Sequence, residues 1–335
     1  MGMLLTTAVS PFTCLSSMQN FIVNSELESY LRLNRAACGE WTLALQDLLG
    51  CAGLVCDLSR PKAEAGSLSA LEVGAGMVAA LSVSQNLTLK HCCLDSPLLV
   101  FRVQGRCELV SAGKAATTVF PFQVIPPDQT FSLRVAADSR VLLLRLADQP
   151  DAPHTGPAIG DAITRCIHGF LFQVGFLQDH DHGCRAAETL LQEINGILCG
   201  NTAAASATTA IPEPDRRLLK AISKIRTEPD WPFDLQELSS HAGVSERNLY
   251  YLMKRQTGMT PYRYYQRCRL IRVRRRLVDC QCAVPHISRY AGDEGFSHFG
   301  RFAALYREHF GELPSETVQW RRRLQAQELL APALS

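Results

Sequence analysis

The sequence predicts an α+β protein in which a β-rich N-terminal part is followed by an all-α C-terminal part. Three observations support this division. Strand-like apolar segments recur before residue 150, an internal repeat with helical spacing follows residue 214, and a stretch of small and polar residues separates the two parts. A chain of 335 residues also exceeds what one hydrophobic core usually serves.

The predicted strands are five apolar segments bounded by turn residues. They cover residues 68–73, 77–83, 98–103, 117–125 and 141–146. This spacing is typical of a small barrel or sandwich. Residues 158–199 carry apolar side chains at helical spacing and predict two helices, which either form a dimer contact or simply cover the barrel.

The separating stretch covers residues 201–214 and reads NTAAASATTAIPEP. Small and polar residues followed by two prolines offer neither an apolar face nor a helix-compatible end. We therefore expect a sensor and dimerisation domain over residues 18–200, a linker over 201–214, and a helical domain over 215–320.

Composition and charge limit the functional classes. With 47% hydrophobic and 20% charged residues, the chain resembles ordinary globular proteins. No apolar run reaches the ~18 residues of a membrane span, and no secretory signal is evident, so a cytoplasmic protein is expected. From Glu213 onward the chain has 21 Lys and Arg and 14 Asp and Glu, whereas the preceding part has 13 Lys and Arg and 18 Asp and Glu. The basic charge is concentrated in the C-terminal part.

Thirteen cysteines are present, but none lies in a CxxC pair or in a Cys/His set with zinc spacing. We expect structural thiols, with redox sensing as the alternative, and neither a metal nor another cofactor. The sequence His180-Asp181-His182, close to Cys184, has metal-like chemistry but no further ligand at matching spacing. A solvated loop is expected there.

The C-terminal repeat is read from nine positions of matching character. Leu235, Leu238, Ser239, Gly243 and Ser245 recur 52 residues later as Ile287, Tyr290, Ala291, Gly295 and Ser297, and Leu249, Met253, Gly258 and Pro261 recur 53 residues later as Phe302, Tyr306, Gly311 and Pro314. The second copy therefore carries one extra residue in or just after its turn.

Each copy has the pattern of a helix-turn-helix motif, in which two helices meet through a tight turn. In the first copy Asp234 is a natural N-cap with Glu237 three residues on, and Ser245 is expected to cap the second helix. Gly243 supplies the freedom that the turn needs. In the second copy the recognition helix is expected to start near Ser297. Residues 261–277, PYRYYQRCRLIRVRRRL, predict one linker helix joining the motifs.

At this point the sequence resembles the AraC/XylS family of transcription regulators, over residues 215–318. The resemblance rests on GVSERNLYYLMKRQTGMTPYRYYQRCRLIRVRRRL at 243–277 and GFSHFGRFAALYREHFGELPSE at 295–316. The sequence of these two segments is most similar to the subgroup that contains the ethanolamine-utilisation regulator. Two departures matter. The second recognition helix usually has Ser, Phe, Arg and Phe at alternate positions, where this sequence has Gly300, Phe302, Ala304 and Tyr306. Ala304 thus lacks the customary Arg.

The resemblance implies a DNA-binding site on the two recognition helices. In the first, Arg247, Tyr250 and Tyr251 would face base edges with Asn248 nearby, since Arg pairs with guanine and Asn with adenine. The alternative for either tyrosine is packing against the linker helix. In the second recognition helix, His298 and Arg301 are the polar residues near the helix start. We therefore expect fewer direct contacts with bases there.

A second group of residues is assigned to phosphates, which position a protein on DNA without reading sequence. It comprises Ser245, Lys254, Arg255, Ser297 and Arg274, together with the basic run 267–276. A solvated face is the alternative for that run.

For the N-terminal part the resemblance implies a cupin-like barrel, in which residues 121–135 resemble the strand and turn that close such barrels. The expected partners are double-stranded DNA at two adjacent major grooves, a small-molecule effector, RNA polymerase and a second copy of the chain. Two enzyme alternatives are weaker. A metal cupin needs clustered His and Glu ligands, yet His91 is the one histidine before His154. An alkylation-repair protein would carry a Pro-Cys-His-Arg motif, which this sequence lacks.

Overall fold

The computed structural model of the chain describes residues 27–61, 63–111, 113–147, 156–200, 215–282 and 284–330, with backbone alone at 329 and 330. The first residues of the expected sensor domain, 18–26, and the expected linker at 201–214 lie outside the described residues. The expected fold class, a β-rich cupin-like barrel with helices followed by a helical domain, is confirmed.

The N-terminal domain contains eleven described strands in two antiparallel sheets. The strands are β1 Leu31–Asn34, β2 Val55–Leu58, β3 Gly66–Val73, β4 Gly76–Val83, β5 Leu87–Cys92, β6 Leu98–Gln104, β7 Cys107–Ser111, β8 Thr117–Thr118, β9 Phe122–Ile125, β10 Phe131–Val135 and β11 Ser139–Arg145. One sheet has the order β1-β3-β4-β11-β6-β9 and the other β2-β5-β10-β7-β8. The expected strand at 117–125 is divided into β8 and β9, since Pro121 has no N–H to continue the ladder.

Side-chain alternation explains how the first sheet is buried on both faces. Along β4, Met77 and Ala79 point into the core between the sheets, whereas Val78 and Ala80 point to the outer face. Helices α2 Pro157–Val174 and α3 His180–Leu198 cover that outer face with an apolar cluster that includes Ile167. Covering the barrel, one of the two predicted roles of this helix pair, is therefore observed.

Helix α1, Cys38–Leu49, was not predicted and packs Trp41 and Leu45 into the core between the sheets. Its start lacks a Ser, Thr, Asp or Asn cap, because Ala37 precedes it. Instead the carboxylate of Glu40 accepts a hydrogen bond from the Ala37 backbone N–H at 2.9 Å.

The C-terminal domain consists of seven described helices. They are α4 Arg216–Thr227, α5 Leu235–Ala242, α6 Glu246–Thr257, α7 Pro261–Val278, α8 Ile287–Asp293, α9 Phe299–Phe310 and α10 Pro314–Leu330. Two apolar clusters form, one under each helix-turn-helix motif, and α7 contributes to both of them. Tyr264 and Tyr265 belong to the first cluster, and Val273 and Leu277 to the second. The linker helix is thus continuous and held at both ends.

Each domain places an apolar side chain in the core of the other. Leu324 of α10 belongs to the cluster between the N-terminal sheets, and Phe176, which follows α2, belongs to the cluster of the first motif. Helix α10 continues ten residues past the expected domain end at 320, to Leu330. The domains share a packed interface.

Candidate DNA-binding surface

The first helix-turn-helix is built by the capping pattern that the sequence predicts. The Asp234 carboxylate accepts a hydrogen bond from the Glu237 backbone N–H at 2.8 Å and begins α5. Gly243 ends α5 with φ of 73°, a left-handed conformation that favours glycine. The Ser245 hydroxyl then accepts from the Asn248 N–H at 3.3 Å and begins α6. These contacts fix the entry of α6.

The outer face of α6 exposes the four side chains expected to read bases. Arg247 and Asn248 are exposed, and Tyr250 and Tyr251 are 43% and 58% exposed. Leu249, on the opposite side, is buried in the first apolar cluster. The Arg247 guanidinium lies 5.6 Å from the centre of the Tyr251 ring. Neither tyrosine is buried against α7, so a guanidinium, an amide and two phenols share one protruding surface.

A groove of about 200 Å³ lies beside this surface and is lined in part by Asn248, Tyr251, Arg255 and Arg217. Arg217 pairs with Asp215, the N-cap of α4. Hydrogen bonds from Arg217 lower the pKa of Asp215 to about 2, so the carboxylate stays charged at neutral pH. The groove therefore combines cationic and amide donors next to the exposed face of α6.

The second recognition helix, α9, departs from the first at its start. It begins at Phe299, four residues after Gly295, whereas α6 begins three residues after Gly243. This places the extra residue of the second copy in the turn. Ser297 lies two residues before the helix, and the N-cap His298 makes no side-chain capping hydrogen bond.

The expected polar residues of the second motif are at the surface. Ser297, His298 and Arg301 are exposed, as is Ala304 at the position where the family usually has Arg. The polar surface here is smaller than that of α6.

The residues expected at phosphates divide into two groups. Ser245, Lys254, Arg255 and Ser297 are exposed, and the Lys254 ammonium donates to the carbonyl of Gly258 at 3.1 Å. These four remain accessible to a phosphate.

Arg274 is the exception, because it is 1% exposed. Its guanidinium forms an ion pair of 2.8 Å with Glu312 and donates to the Leu31 carbonyl of β1 at 3.2 Å. A side chain buried between the domains cannot reach DNA. The phosphate contact expected of Arg274 is therefore contradicted by its position in this structure.

Other arginines of the run 267–276 also have internal partners. Arg272 pairs with Glu294 at 2.7 Å, Arg276 with Asp293 at 2.7 Å, and Arg275 lies 3.7 Å from Glu28. Buried Arg267 donates to the Val174 carbonyl at 3.0 Å and to the Ser29 hydroxyl at 3.1 Å. Part of this basic run is thus an interdomain network, which neither the expected phosphate role nor the solvated-face alternative included.

A hydrogen-bond chain continues this network through His309, a buried residue of α9. His309 Nδ1 lies 3.1 Å from the Gln178 carbonyl, which can only accept, so Nδ1 carries the proton. Nε2 is then left to accept from the Ser29 hydroxyl at 3.4 Å, and that hydroxyl accepts from Arg267. Burial, followed by the nearby charge of Arg267, lowers the pKa of His309 to about 3. This series of hydrogen bonds connects the two domains, and His309 is neutral within it.

A second buried ion pair joins the domains at α10. Arg321 Nε lies 2.7 Å from Glu40 of α1, and both side chains are buried. The same guanidinium donates to the carbonyls of Asn34, Arg35 and Val278. The sequence analysis missed the interdomain roles of Arg267, Arg274 and Arg321. A signal for the first two was present, since buried positions 267, 271, 274 and 278 recur at helical spacing and form one stripe of α7.

Three further features bear on the sequence-based expectations. His180, Asp181 and His182 form the first turn of α3, capped by Asp179, so the expected loop is wrong. Within the described ranges no group of three or more His, Cys, Asp or Glu side chains is placed to hold a metal ion. The helices of those ranges include none that is both long and apolar enough to cross a membrane.

The match to a known protein family lies in the C-terminal domain. Residues 238–331 match the family described as "Helix-turn-helix domain". The XylDLEGF operon transcriptional activator 1 of Pseudomonas putida is 41% identical over 100 residues, which cover 29% of this chain and 30% of that protein. The HTH-type transcriptional regulator GbdR of Pseudomonas aeruginosa is 30% identical over 103 residues, 31% of this chain and 27% of that protein.

Among solved structures, the AraC-like transcriptional activator CuxR is 15% identical, with a TM-score of 0.36, over 69% of this chain and 89% of that chain. The present chain matches just under a third of the length of these two curated relatives. Both relatives are regulators of transcription. Over residues 238–331 the chain therefore carries a helix-turn-helix domain, and part of the chain is similar to curated transcription regulators.

Proposed function

We propose that the chain is a sequence-specific DNA-binding transcription regulator in which α6 reads bases from one major groove. The observation that carries this proposal is the exposed face formed by Arg247, Asn248, Tyr250 and Tyr251 on a helix whose start is fixed by the N-cap Ser245 and the preceding glycine turn. Arg can bind guanine through two hydrogen bonds and Asn can bind adenine likewise, while a tyrosine ring can rest on a thymine methyl.

The second motif reads an adjacent groove with His298 and Arg301. Helix α7 has 18 residues and spans about 27 Å at 1.5 Å per residue, comparable with the ~34 Å between successive major grooves. Because α7 packs into the cores of both motifs, it holds α6 and α9 at a fixed separation. Ser245, Lys254, Arg255 and Ser297 take the phosphate-contacting role, and Arg274 does not share it.

The N-terminal domain is proposed to sense a small-molecule effector and to pass its state to the DNA-binding domain. Support comes from the buried contacts that Arg267, Arg274 and Arg321 make with carbonyls of the N-terminal domain. Two of these arginines lie on α7, the helix that sets the spacing of the motifs. An effector that shifts the N-terminal domain would thereby act on both recognition helices.

Self-association through the N-terminal domain and contact with RNA polymerase are proposed as further partner interactions, and the cytoplasm as the location. A closer kinship with the subgroup of the ethanolamine-utilisation regulator stays a prediction. Neither a metal enzyme nor an alkylation-repair protein is proposed, because the two curated relatives are transcription regulators.

The test is selection of bound fragments from random DNA by the full chain, with and without candidate metabolites. We expect a defined sequence to be enriched, and an effector to change either its retention or the transcription it controls. Retention of all sequences alike would contradict base reading, and no retention at low salt would contradict DNA binding altogether.

A further inference from the structure

The two recognition helices differ most at the positions that read bases in the first motif. At the offset of 53 residues, Arg247, Tyr250 and Tyr251 correspond to Gly300, Ala303 and Ala304. The three largest side chains of that face are thus replaced by small ones, whereas Asn248 corresponds to Arg301. This inference rests on the proposed DNA-binding function, and it concerns how α9 reads its groove without those side chains.

Phe299 is the large apolar side chain left at the surface of this helix. It is the first residue of α9 and is 48% exposed, whereas Phe302, Tyr306 and Phe310 of the same helix are buried in the second apolar cluster. In helix-turn-helix proteins the N-terminal residues of the recognition helix reach the base edges. An exposed aromatic ring therefore occupies the position that meets DNA first.

The residues beside Phe299 allow a close approach. A Cβ atom added to Gly300 would meet no atom within 4 Å, so packing does not require glycine at this unfavourable helical position. Exposed His298 and Arg301 flank the ring with groups that hydrogen-bond to bases or phosphates. The surface formed by Phe299 and Gly300 therefore carries one exposed ring between two polar side chains. Such a surface suits the major groove of DNA better than a protein partner, which would need a contiguous apolar patch.

We propose that Phe299 determines specificity in the second half-site by apolar contact with the C5-methyl group of thymine. The major-groove edge of a T·A pair presents this methyl group, the one apolar feature among the four base-pair edges. The contact needs no side chain at Gly300, Ala303 or Ala304. It predicts a second half-site in which a thymine is selected although few hydrogen bonds read that half.

The experiment compares thymine with deoxyuridine, which lacks only the methyl group, at each thymine of the selected site. Wild-type full chain, Phe299→Ala, Phe299→Leu and the control Val284→Ala are titrated on each DNA. Val284 is 70% exposed and lies in the same domain, outside the recognition helices. Thermal unfolding verifies that each variant is folded.

With wild-type protein, we expect deoxyuridine at one or two positions of the second half-site to lower affinity about fourfold, the effect of one buried methyl group. Phe299→Ala should bind thymine DNA about fourfold more weakly and should no longer distinguish the two bases. Phe299→Leu should retain part of the preference, and Val284→Ala all of it.

Three outcomes would overturn the inference. If the wild-type protein selects a sequence but tolerates deoxyuridine throughout the second half-site, it makes no methyl contact there. If Phe299→Ala keeps the preference for thymine, another residue makes the methyl contact. Phe299→Ala that binds DNA normally but fails to activate transcription points to a protein partner. In each case the sequence-specific binding of the wild type leaves the proposed function standing, whereas its absence would remove both claims.

Discussion

At the scale of single residues, environment decides what each arginine of the C-terminal domain can do. Arg247 is exposed on α6 next to Tyr251, whereas Arg274 is enclosed between β1 and Glu312. Both belong to a basic, helical part of the chain, and composition alone does not separate them. The separation comes from the N-terminal domain, which covers one stripe of α7 and leaves α6 free.

Arg274→Leu is expected to destabilise the full chain by about 3 kcal/mol, because it leaves the partly buried carboxylate of Glu312 with one partner fewer. Arg32, 2.9 Å from Glu312, compensates part of the loss. Urea unfolding measures the effect, with Arg255→Leu at an exposed position as the matched control. Equal midpoints for both variants would mean that the buried pair contributes nothing.

His309 makes stability depend on pH in a defined window. Its pKa is lowered from 6.5 to about 3 by burial and by nearby Arg267, so between these values the unfolded chain binds a proton that the folded chain does not. The His309 contribution is complete above pH 6.5 and is lost as the pH falls toward 3.

The measurement is the free energy of unfolding at pH 7.5 and 5.0 for wild type and His309→Gln. Wild type should lose more stability between these two pH values than the variant does. His168, whose pKa burial also lowers, acts in the same direction but is present in both proteins. Parallel pH profiles would show that His309 is not held neutral.

At the scale of elements, the sequence predicts structure well where its signals are local. The caps Asp234 and Ser245, the glycine turn and the 52-residue repeat locate the motif helices within two residues. The first sheet was largely found as well, because strands such as β4 and β11 are covered on both faces and are continuously apolar.

The second sheet was largely missed for the opposite reason. Its strands β2, β7 and β10 bury one face only, so polar residues interrupt the apolar ones, as in Cys107–Ser111, CELVS. A search for apolar runs does not detect such alternation. The interdomain contacts of the buried arginines of α7 were missed because their N-terminal partners lie more than 90 positions away in the sequence.

The two serines at the turns provide a test at this scale. Ser245→Ala removes the N-cap of α6 and should cost about 1 kcal/mol of stability. Ser297→Ala, at the matching position of the repeat, should cost much less, because α9 begins two residues later without a side-chain cap. Chemical denaturation of both variants measures the difference, and equal losses would contradict the observed caps.

At the scale of the whole molecule, the domains share cores and buried ion pairs, so their stabilities should be coupled. A fragment of residues 213–335 retains both recognition helices and most of the basic charge, and we expect it to bind DNA at low salt. It loses the N-terminal partners of Arg267, Arg274 and Arg321, and it exposes Leu324. The fragment should therefore unfold at lower urea concentration than the same domain does in the full chain. An unchanged midpoint would show that the interface adds no stability.

The central claim is that α6 reads sequence while other basic residues hold the phosphates. It is tested most directly by the affinity of wild type, Arg247→Ala and Arg255→Ala for the selected site and a scrambled site across a salt series. Arg247→Ala should lose about 1–3 kcal/mol on the selected site and much less on the scrambled one. Arg255→Ala should weaken both about equally and flatten the dependence of log affinity on log salt by about one unit. If Arg247→Ala lowers both affinities equally and leaves the preference intact, α6 does not read the bases through this face.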